Sequence, residues 1–419
     1  RCNKASTLFI ADANFGILER DAIFAAKIYE GYKKKGFPYH VGVQWNKTRP
    51  DRIIKTAKAF GSVDAAGKSI APIGASMQTI DDNVLTAIKR KNLTFEQIDQ
   101  IQKELKAIGM KDNSFSELII GLPNETKKTH IAANRKLIDL GFEVWNYFLH
   151  LLPGTEMDET EYRKKYFKKT GWRLHDNAFG IYRGEKIFEA QETVLATNSL
   201  SVEDFRYFRF FHFLQQMMWS KKWYFDYLKF LKSYDIHPVE VMDKIVTNAQ
   251  KDNGEIGNLY KQFMKDYDEA ESFYTFEELY KYWNMDSNFK RLEDGDYGKL
   301  NMLFTYKVVL DCREPFNDFL LTVAKEFAEK LNVPKKYFSD VCEEILQFQN
   351  TRFLQFKDKL NVEKRITKSF KYDILDWQKN GYDRIQKLEE NKNYTFYLSD
   401  KQHDAINTQL KQYKSKNLN

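Results

Sequence analysis

The sequence lacks the features that mark several common protein classes. Its three cysteines, Cys2, Cys312 and Cys342, lie too far apart along the 419 residues to indicate a disulfide framework or a spaced metal site. No apolar run reaches the roughly 18 residues of a membrane-spanning helix. The Gly-rich phosphate-binding motifs, Gly-x-Ser-x-Gly and His-x-x-x-His are also absent. These absences argue against secreted disulfide scaffolds, membrane spans and the familiar nucleotide-loop and zinc-hydrolase classes.

The composition supports a sizeable folded core. Hydrophobic residues make up 42% of the chain and charged residues 30%, as in ordinary globular proteins. The net charge of +7 is small for this length, so we expect neither a nucleic-acid partner nor a membrane surface. We predict a cytoplasmic chain of two or three domains. It begins at Arg1 without an initiator methionine or a signal peptide, so we expect an N-terminal part upstream.

The first 155 residues alternate between strand and helix patterns. Such alternation at intervals of about 30 residues predicts right-handed βα units and a parallel sheet or barrel. We expect Gly36 to end the first helix, and Gly141 to adopt the left-handed conformation that ends another. The predicted strands are 7–11, 39–45, 68–76, 115–120 and 143–152, and the predicted helices are 19–35, 50–60, 81–90, 94–108 and 125–140.

The pattern changes after residue 155. Glycines 171, 180 and 184 interrupt the segment 156–199, for which we predict a connector or small extension. Aromatic residues recur near helical spacing between 205 and 230, which favours a helix core over a surface that stacks bases. We therefore divide the chain into 1–155, an α/β region, 156–230, an extension with an aromatic helix, and 231–419, a helical region. Further helices are predicted at 239–250, 255–270, 276–283, 316–331, 335–360 and 400–415.

Polar residues follow two of the predicted strands. Asp12 and Asn14 come after the first strand, where side chains of a parallel sheet face ligands. Ser76 and Gln78 end the third strand, and residues two apart on an extended strand point to the same face. A hydroxyl beside an amide suits the vicinal hydroxyls of a ribose. Turn formation, helix capping and a polar strand end are the ordinary structural alternatives.

Two Gly/Pro turns follow the last two predicted strands. In Gly121-Leu-Pro-Asn-Glu125, glycine permits close backbone approach, proline fixes the turn, and Glu125 is predicted in the first turn of the next helix. Leu152-Pro-Gly-Thr-Glu156 repeats this arrangement. Backbone groups at such strand ends suit the edge of an adenine. An ordinary βα loop is the alternative for each.

These segments together resemble the cobalamin-binding class of the radical S-adenosylmethionine (SAM) superfamily. The likeness covers about 200 residues and depends on the order of the motifs, since no single motif is unique to the family. Residues beyond about 230 carry no resemblance. In chain order, 10–16 with 19–21 resembles the family's second barrel strand, 43–51 the third, 74–79 with 84–92 the fourth, 117–126 the fifth, 151–156 the sixth, and 192–209 the segment after the barrel.

The resemblance implies an α/β fold with a partial (β/α)6 TIM-like barrel, strands two to six, within 1–155. A mostly α-helical C-terminal region follows. The implied cofactors are SAM, a [4Fe-4S] cluster and, in this class, cobalamin. By this resemblance Ser76 and Gln78 lie near the ribose of SAM, Ile119, Gly121, Leu152 and Pro153 near the adenine, and Asp12 and Asn14 near the methionine portion or the substrate.

The implied activity is reductive cleavage of SAM to a 5′-deoxyadenosyl radical. Cobalamin-dependent methyl transfer to a small-molecule substrate, or a related C–H functionalisation, would follow, with flavodoxin or ferredoxin as electron donor. The sequence assigns no catalytic residue and does not identify the substrate.

The chain departs from the family at the cluster. It lacks the Cys-x-x-x-Cys-x-x-Cys loop whose thiolates hold a cluster of this kind, and Cys2 stands alone. Our first hypothesis places the ligands upstream of residue 1. The second is a degenerate, non-catalytic binding or scaffold protein. A parallel α/β enzyme of different chemistry is a third, although no nucleophile–base or metal constellation supports it.

Overall fold

The chain folds into two compact units. The computed structural model describes residues 7–38, 40–61, 69–74, 76–107, 115–294, 299–331, 333–353, 362–383, 385–404 and 406–407. The first unit comprises residues 1–149 and 197–200, and the second comprises 150–196 and 201–419. Apart from 197–200, both later segments of the predicted division, 156–230 and 231–419, lie in the second unit.

Parallel strands form the sheets of the first unit. Strand β1 (Thr7–Phe15) pairs with β2 (His40–Trp45), and β3 (Phe115–Ile120) pairs with β4 (Glu143–Phe148). Single parallel bridges connect Gly74 and Gln78 to β3, at Phe115 and Leu118. The parallel α/β arrangement agrees with the sequence. The described topology is two strand pairs and isolated bridges, and it does not establish the predicted partial barrel.

The segment predicted as the third strand is irregular over its described residues, 69–74 and 76. Pro72 has no amide hydrogen to contribute to a ladder. Gln78 has a φ of 60°, in the left-handed region that an extended strand does not use. The prediction that Ser76 and Gln78 share the face of a regular strand was therefore wrong. Hydrogen bonds to β3, and not a regular strand of their own, fix the positions of these two residues.

Helices pack on one face of these strands. On β2, Val41, Val43 and Trp45 are buried whereas Gln44 is exposed, so the strand has a covered and an open face. Gly36 ends the first helix with a φ of 72°, and Gly141 has a φ of 82°, which confirms both predicted helix ends. The helices are α1 (Glu19–Lys35), α2 (Pro50–Phe60), α3 (Asp82–Ala87), α4 (Phe95–Ala107) and α5 (Lys127–Asp139).

The second unit begins with a long β-hairpin that the sequence did not predict. After β5 (His150–Leu151) and α6 (Thr160–Tyr166), strands β6 (Phe167–Tyr182) and β7 (Glu185–Thr197) are neighbours in one sheet, and β5 pairs antiparallel with β7. Of the predicted connector or small extension, the structure has a folded extension in place of an irregular connector. Arg183 and Gly184 join β6 to β7 with φ values of 53° and 84°, and a two-residue loop with both φ values positive is a favoured hairpin turn.

Helices dominate the remainder of the second unit. The predicted helices at 239–250, 255–270, 276–283 and 316–331 are confirmed, as is the described part of 335–360, while residues 354–360 and 408–415 lie outside the described ranges. Across the described chain, none of the helices combines the length and apolar character needed to cross a bilayer. The elements are α7 (Val202–Gln215), α8 (Phe225–Lys232), α9 (Pro238–Lys251), α10 (Glu255–Glu271), α11 (Phe276–Asn284), α12 (Asp286–Asp294), α13 (Leu300–Leu310), α14 (Arg313–Ala328), α15 (Lys335–Phe353), β8 (Arg365–Tyr372), α16 (Ile374–Lys379) and β9 (Lys387–Tyr397).

The aromatic residues of α7 form a core, as predicted. Phe210 and Phe213 are fully buried, and both pack against Phe263 of α10, with ring centroids 5.1 and 5.2 Å away. Phe263 in turn lies 4.9 Å from the ring of Phe304 on α13. Aromatic pairs at such distances contribute beyond the area that they bury. These rings therefore join three helices of the second unit.

A capping box fixes the start of α7. The Ser201 hydroxyl accepts a hydrogen bond from the Asp204 amide at 3.1 Å, and the Asp204 carboxylate accepts one from the Ser201 amide at 3.0 Å. We expect Ser201→Ala to lower the free energy of unfolding by about 1 kcal/mol, because it leaves a helix-end amide without its acceptor. Urea denaturation measures the change. Ser201→Asn retains a capping oxygen and should lose much less; equal losses would contradict the capping role.

Candidate functional site

The open face of the first unit carries polar and aromatic side chains near the carboxyl ends of its strands. In a parallel pair, residues in register share a face, and Ile119 of β3 is paired with Tyr147 of β4. Tyr147 is 46% exposed. Glu117, two residues before Ile119, lies on the same face. Ligands of open α/β sheets bind at this edge, so the face is the candidate site.

Ser76 and Glu117 form the polar centre of this face. The Ser76 hydroxyl donates to Glu117 Oε2 at 2.5 Å. The main-chain amide of Gln78 donates to the main-chain carbonyl of Glu117 at 2.7 Å. The main-chain carbonyl of Gln78 accepts from the Ile119 amide at 2.8 Å. The structure thus brings Ser76, Gln78 and Ile119 together, with Gly121 two residues further along the chain.

Two half-buried cations flank Ser76. Arg90 donates from Nη2 to the Ser76 carbonyl at 3.3 Å and from Nε to Asn92 Oδ1 at 3.3 Å, both neutral acceptors. Burial lowers the pKa of Arg90. Burial, then the charge of Arg90, lowers the pKa of Lys47, while the Glu117 carboxylate raises it. Two cations beside one carboxylate favour an anionic ligand group.

Arg90 also borders an open groove. The groove has a volume of about 780 Å³ and runs along Met77, Ile80 and residues of α3 and α4, a size that suits a small-molecule ligand. A second cavity, lined by Ser76, Lys47 and Met77 among others, measures only about 20 Å³, which is room for a single water molecule. Neither space is lined by Ile119 or Gly121, and Ser76 lines only the small one.

The Gly121 turn is held from inside the fold. Glu125, predicted in the first turn of a helix, lies before the Thr126 cap of α5 and is fully buried. Its Oε2 accepts from the Gly121 amide at 3.0 Å, and its Oε1 lies 2.9 Å from His130 Nδ1. The prediction that Glu125 lies in the first turn of the helix was therefore wrong. In this arrangement the Gly121 amide is bonded to Glu125.

Asp12 and Asn14 lie at the end of β1 and are exposed. The main-chain amide of Asn14 donates to Asp12 Oδ1 at 2.8 Å. Asp commonly makes this local side-chain contact in turns. Both residues lie in the same unit as Ser76, at the carboxyl end of their strand. Their assignment to the methionine portion or the substrate stays a prediction.

Leu152 and Pro153 lie in the second unit. They follow β5, which pairs antiparallel with β7, so the expectation that they end a parallel strand was wrong. Leu152 is 59% exposed, and its carbonyl accepts from the Thr155 hydroxyl at 2.8 Å. Their assignment to the adenine stays a prediction.

Sequence reasoning missed Glu117, Lys47 and Arg90. The alternation of β3 already places Glu117 on the face of Ile119, and Lys47 directly follows β2. Arg90 had no comparable sequence indication, because it follows the short helix α3 and reaches Ser76 through the tertiary fold.

The described cysteines do not suit an iron–sulfur cluster. Cys342 is fully buried, and burial raises the pKa of its thiol. Burial and the Asp311 charge raise the pKa of Cys312. Cluster ligation requires thiolates, which both environments disfavour. Over the described ranges, no group of three His, Cys, Asp or Glu side chains is arranged to hold a metal ion.

Comparison with known proteins identifies two methyltransferases with detectable similarity. Cobalamin-dependent radical SAM methyltransferase TokK of Streptomyces tokunonensis is 29% identical over 221 residues, which cover 51% of this chain and 31% of that protein. The 2-(S-pantetheinyl)-carbapenam-3-carboxylate methyltransferase of Streptantibioticus cattleyicolor is 28% identical over 200 residues, 47% of this chain and 28% of that protein. No family model matches the chain.

A solved structure is also similar. The radical SAM methyltransferase TsrM of Kitasatospora setae, solved with tryptophan and a SAM analogue, matches 47% of this chain and 41% of its own, at 14% identity and a TM-score of 0.31. The match to the curated relatives spans about a third of their length. The two curated proteins confirm the resemblance predicted from the motifs: about half of this chain is similar to a cobalamin-dependent radical SAM methyltransferase and to a second methyltransferase.

Proposed function

We propose that this chain supplies the SAM-binding part of a cobalamin-dependent radical SAM methyltransferase that acts on a small-molecule substrate. The observation that carries the proposal is the contact of Ser76 with Glu117 at the carboxyl edge of a parallel sheet. The names of the two methyltransferase relatives support the enzyme over the non-catalytic scaffold.

The described residues offer a partner for each part of SAM. A carboxylate accepts hydrogen bonds from ribose hydroxyls in dinucleotide-binding folds, and Glu117 with Ser76 offers this chemistry here. Arg90 and Lys47 suit the methionine carboxylate. We place the adenine against the Ile119–Gly121 backbone, and Asp12 and Asn14 near the methionine ammonium or the substrate.

The remaining chemistry belongs to groups that these residues do not hold. A [4Fe-4S] cluster, when bound, would supply the electron for reductive cleavage of SAM, and cobalamin would supply the methyl group. The cysteine environments described above do not fit the cluster, so we assign to this chain the binding and orientation of SAM. A flavodoxin or ferredoxin is the proposed electron donor.

The complete coding sequence around these residues tests the proposal. The parent protein is purified anaerobically, reconstituted with iron and sulfide, and assayed with a reductant and SAM. We expect bound iron, release of 5′-deoxyadenosine and formation of S-adenosylhomocysteine. A parent protein that binds iron but forms neither product would overturn the proposed enzyme and favour the scaffold.

Arg90 gives a test on this chain alone. We expect Arg90→Ala to weaken SAM binding about five- to tenfold, because one charge-assisted contact at a half-buried site is lost. Binding of 5′-methylthioadenosine, which lacks the carboxylate, should be unchanged. Titration calorimetry measures both ligands. Lys106→Ala removes the same charge from an exposed position in the last turn of α4 and serves as the control; an equal loss for both ligands would refute the assignment.

A further inference from the structure

Two turns at the candidate site are closed in the same way, by a buried carboxylate a few residues further along the chain. Asp21 Oδ2 accepts from the Gly16 amide at 2.8 Å and from the Leu18 amide at 2.9 Å. Glu125 Oε2 accepts from the Gly121 amide at 3.0 Å. Asp21 is 2% exposed and Glu125 is 0% exposed. Neither carboxylate is therefore available to contact a ligand directly.

Glu125 belongs to a longer hydrogen-bonded chain inside the first unit. Its second oxygen lies 2.9 Å from His130 Nδ1, and the His130 carbonyl accepts from Asn134 Nδ2 at 2.9 Å. Asn134 Oδ1 then accepts from Asn146 Nδ2 of β4 at 3.1 Å. This chain connects the turn after β3 to α5 and to the neighbouring strand. A buried carboxylate is stable only with such partners.

The Gly121 backbone depends on this support. Gly121 has a φ of 97°, a left-handed conformation open to glycine. The preceding carbonyl, of Ile120, accepts from the Leu149 amide at 2.9 Å. Together with the Glu125 contact, this bond fixes both sides of the peptide between Ile120 and Gly121. The orientation of this peptide is therefore fixed by the Leu149 main chain on one side and by the Glu125 side chain on the other.

We propose that Glu125 and His130 form a positioning pair for the ligand-binding turn at Ile119–Gly121. The pair acts through the Gly121 amide and does not touch the ligand. The inference rests on the proposed function, because it assumes that an adenine nucleoside binds against this backbone. It adds two residues, both buried, to the set that determines nucleoside affinity.

Variants of Glu125 in the full chain test the pair, with adenosine as the probe because adenosine carries only the ribose and adenine assigned to this edge of the sheet. Glu125→Ala should weaken adenosine binding at least about tenfold, since the Gly121 amide loses its acceptor. Glu125→Gln keeps an oxygen for the Gly121 amide and offers an NH2 group to His130. Its adenosine affinity should stay within about threefold of that of the unmodified chain. The adenosine affinity of Glu125→Asp should lie between those of the other two variants, because the shorter aspartate cannot reach both partners.

Two controls separate positioning from general loss of stability. Leu137→Ala empties a fully buried site on the same helix, α5, and leaves the hydrogen-bonded chain in place. It should lower the thermal midpoint without changing adenosine affinity. Hydrogen exchange at the Gly121 amide provides a readout without ligand: exchange should accelerate in Glu125→Ala and remain slow in Glu125→Gln and Leu137→Ala.

The outcomes distinguish this inference from the function on which it rests. Adenosine binding by the unmodified chain together with unchanged affinity in Glu125→Ala and Glu125→Asp would overturn the positioning pair alone. Failure of the unmodified chain to bind adenosine would overturn the nucleoside site, and the inference with it. Weakened binding in Glu125→Ala, rescue by Glu125→Gln and no effect of Leu137→Ala would establish the pair.

Discussion

Replacing Phe213 with alanine is expected to lower the free energy of unfolding of the second unit by about 3 to 5 kcal/mol. The side chain is fully buried, and its ring lies 5.2 Å from Phe263 and 5.5 Å from Phe210. Truncation removes the buried apolar surface and leaves a cavity between α7 and α10 that rigid rings fill poorly. Urea denaturation followed by circular dichroism measures the loss.

Two substitutions control for this result. Phe213→Leu keeps most of the volume and should cost clearly less than alanine. Tyr274→Ala removes an aromatic ring that is 71% exposed and should change the free energy of unfolding by no more than about 0.5 kcal/mol. A similar loss for Tyr274→Ala and Phe213→Ala would contradict the aromatic core described for α7.

Replacing Glu117 with alanine is expected to weaken adenosine binding by about 1.5 to 3 kcal/mol, or roughly 10- to 150-fold. Its carboxylate already accepts the Ser76 hydroxyl at 2.5 Å, which shows an orientation suited to hydroxyl donors. Ribose hydroxyls would meet the same oxygen atoms. Titration calorimetry on the unmodified and substituted chains measures the difference.

The ligand provides the stricter control for Glu117. The unmodified chain should bind 2′,3′-dideoxyadenosine more weakly than adenosine, and Glu117→Ala should remove this preference. Glu30→Ala deletes an equal charge from an exposed position of α1 and should alter neither affinity. Discrimination between the two nucleosides that survives in Glu117→Ala would exclude Glu117 as the ribose contact.

Periodicity predicted the regular elements of the fold well. Strand β3 and helix α1 have the predicted bounds, 115–120 and 19–35, because each has a clear hydrophobic pattern and marked ends. The prediction of a regular third strand failed because the backbone of Gln78 is left-handed. This residue is held by hydrogen bonds to β3, which is distant in sequence. The hairpin β6–β7 was missed because its glycines were taken as interruptions, although Arg183-Gly184 is a turn sequence between strands.

The candidate site was less predictable than the fold. Ser76, Gln78 and Ile119 were named from the order of motifs, and the structure brings them together. Glu125 was predicted in the first turn of α5 but lies before the cap, where its buried carboxylate bonds to His130 and to the Gly121 amide. Contacts between side chains that are distant in sequence produce no periodic pattern. The cations near Ser76 and the chain of polar contacts behind Gly121 were therefore visible only in the folded structure.

The two described cysteines have a practical consequence for work with iron. Burial raises the pKa of the Cys312 and Cys342 thiols, which favours the protonated form over the reactive thiolate. Protonated thiols react slowly with iron, with sulfide-derived species and with alkylating reagents. Those two positions should therefore contribute little background to an iron assay. A reporter cysteine introduced on an exposed loop of the second unit would be labelled in preference to either of them.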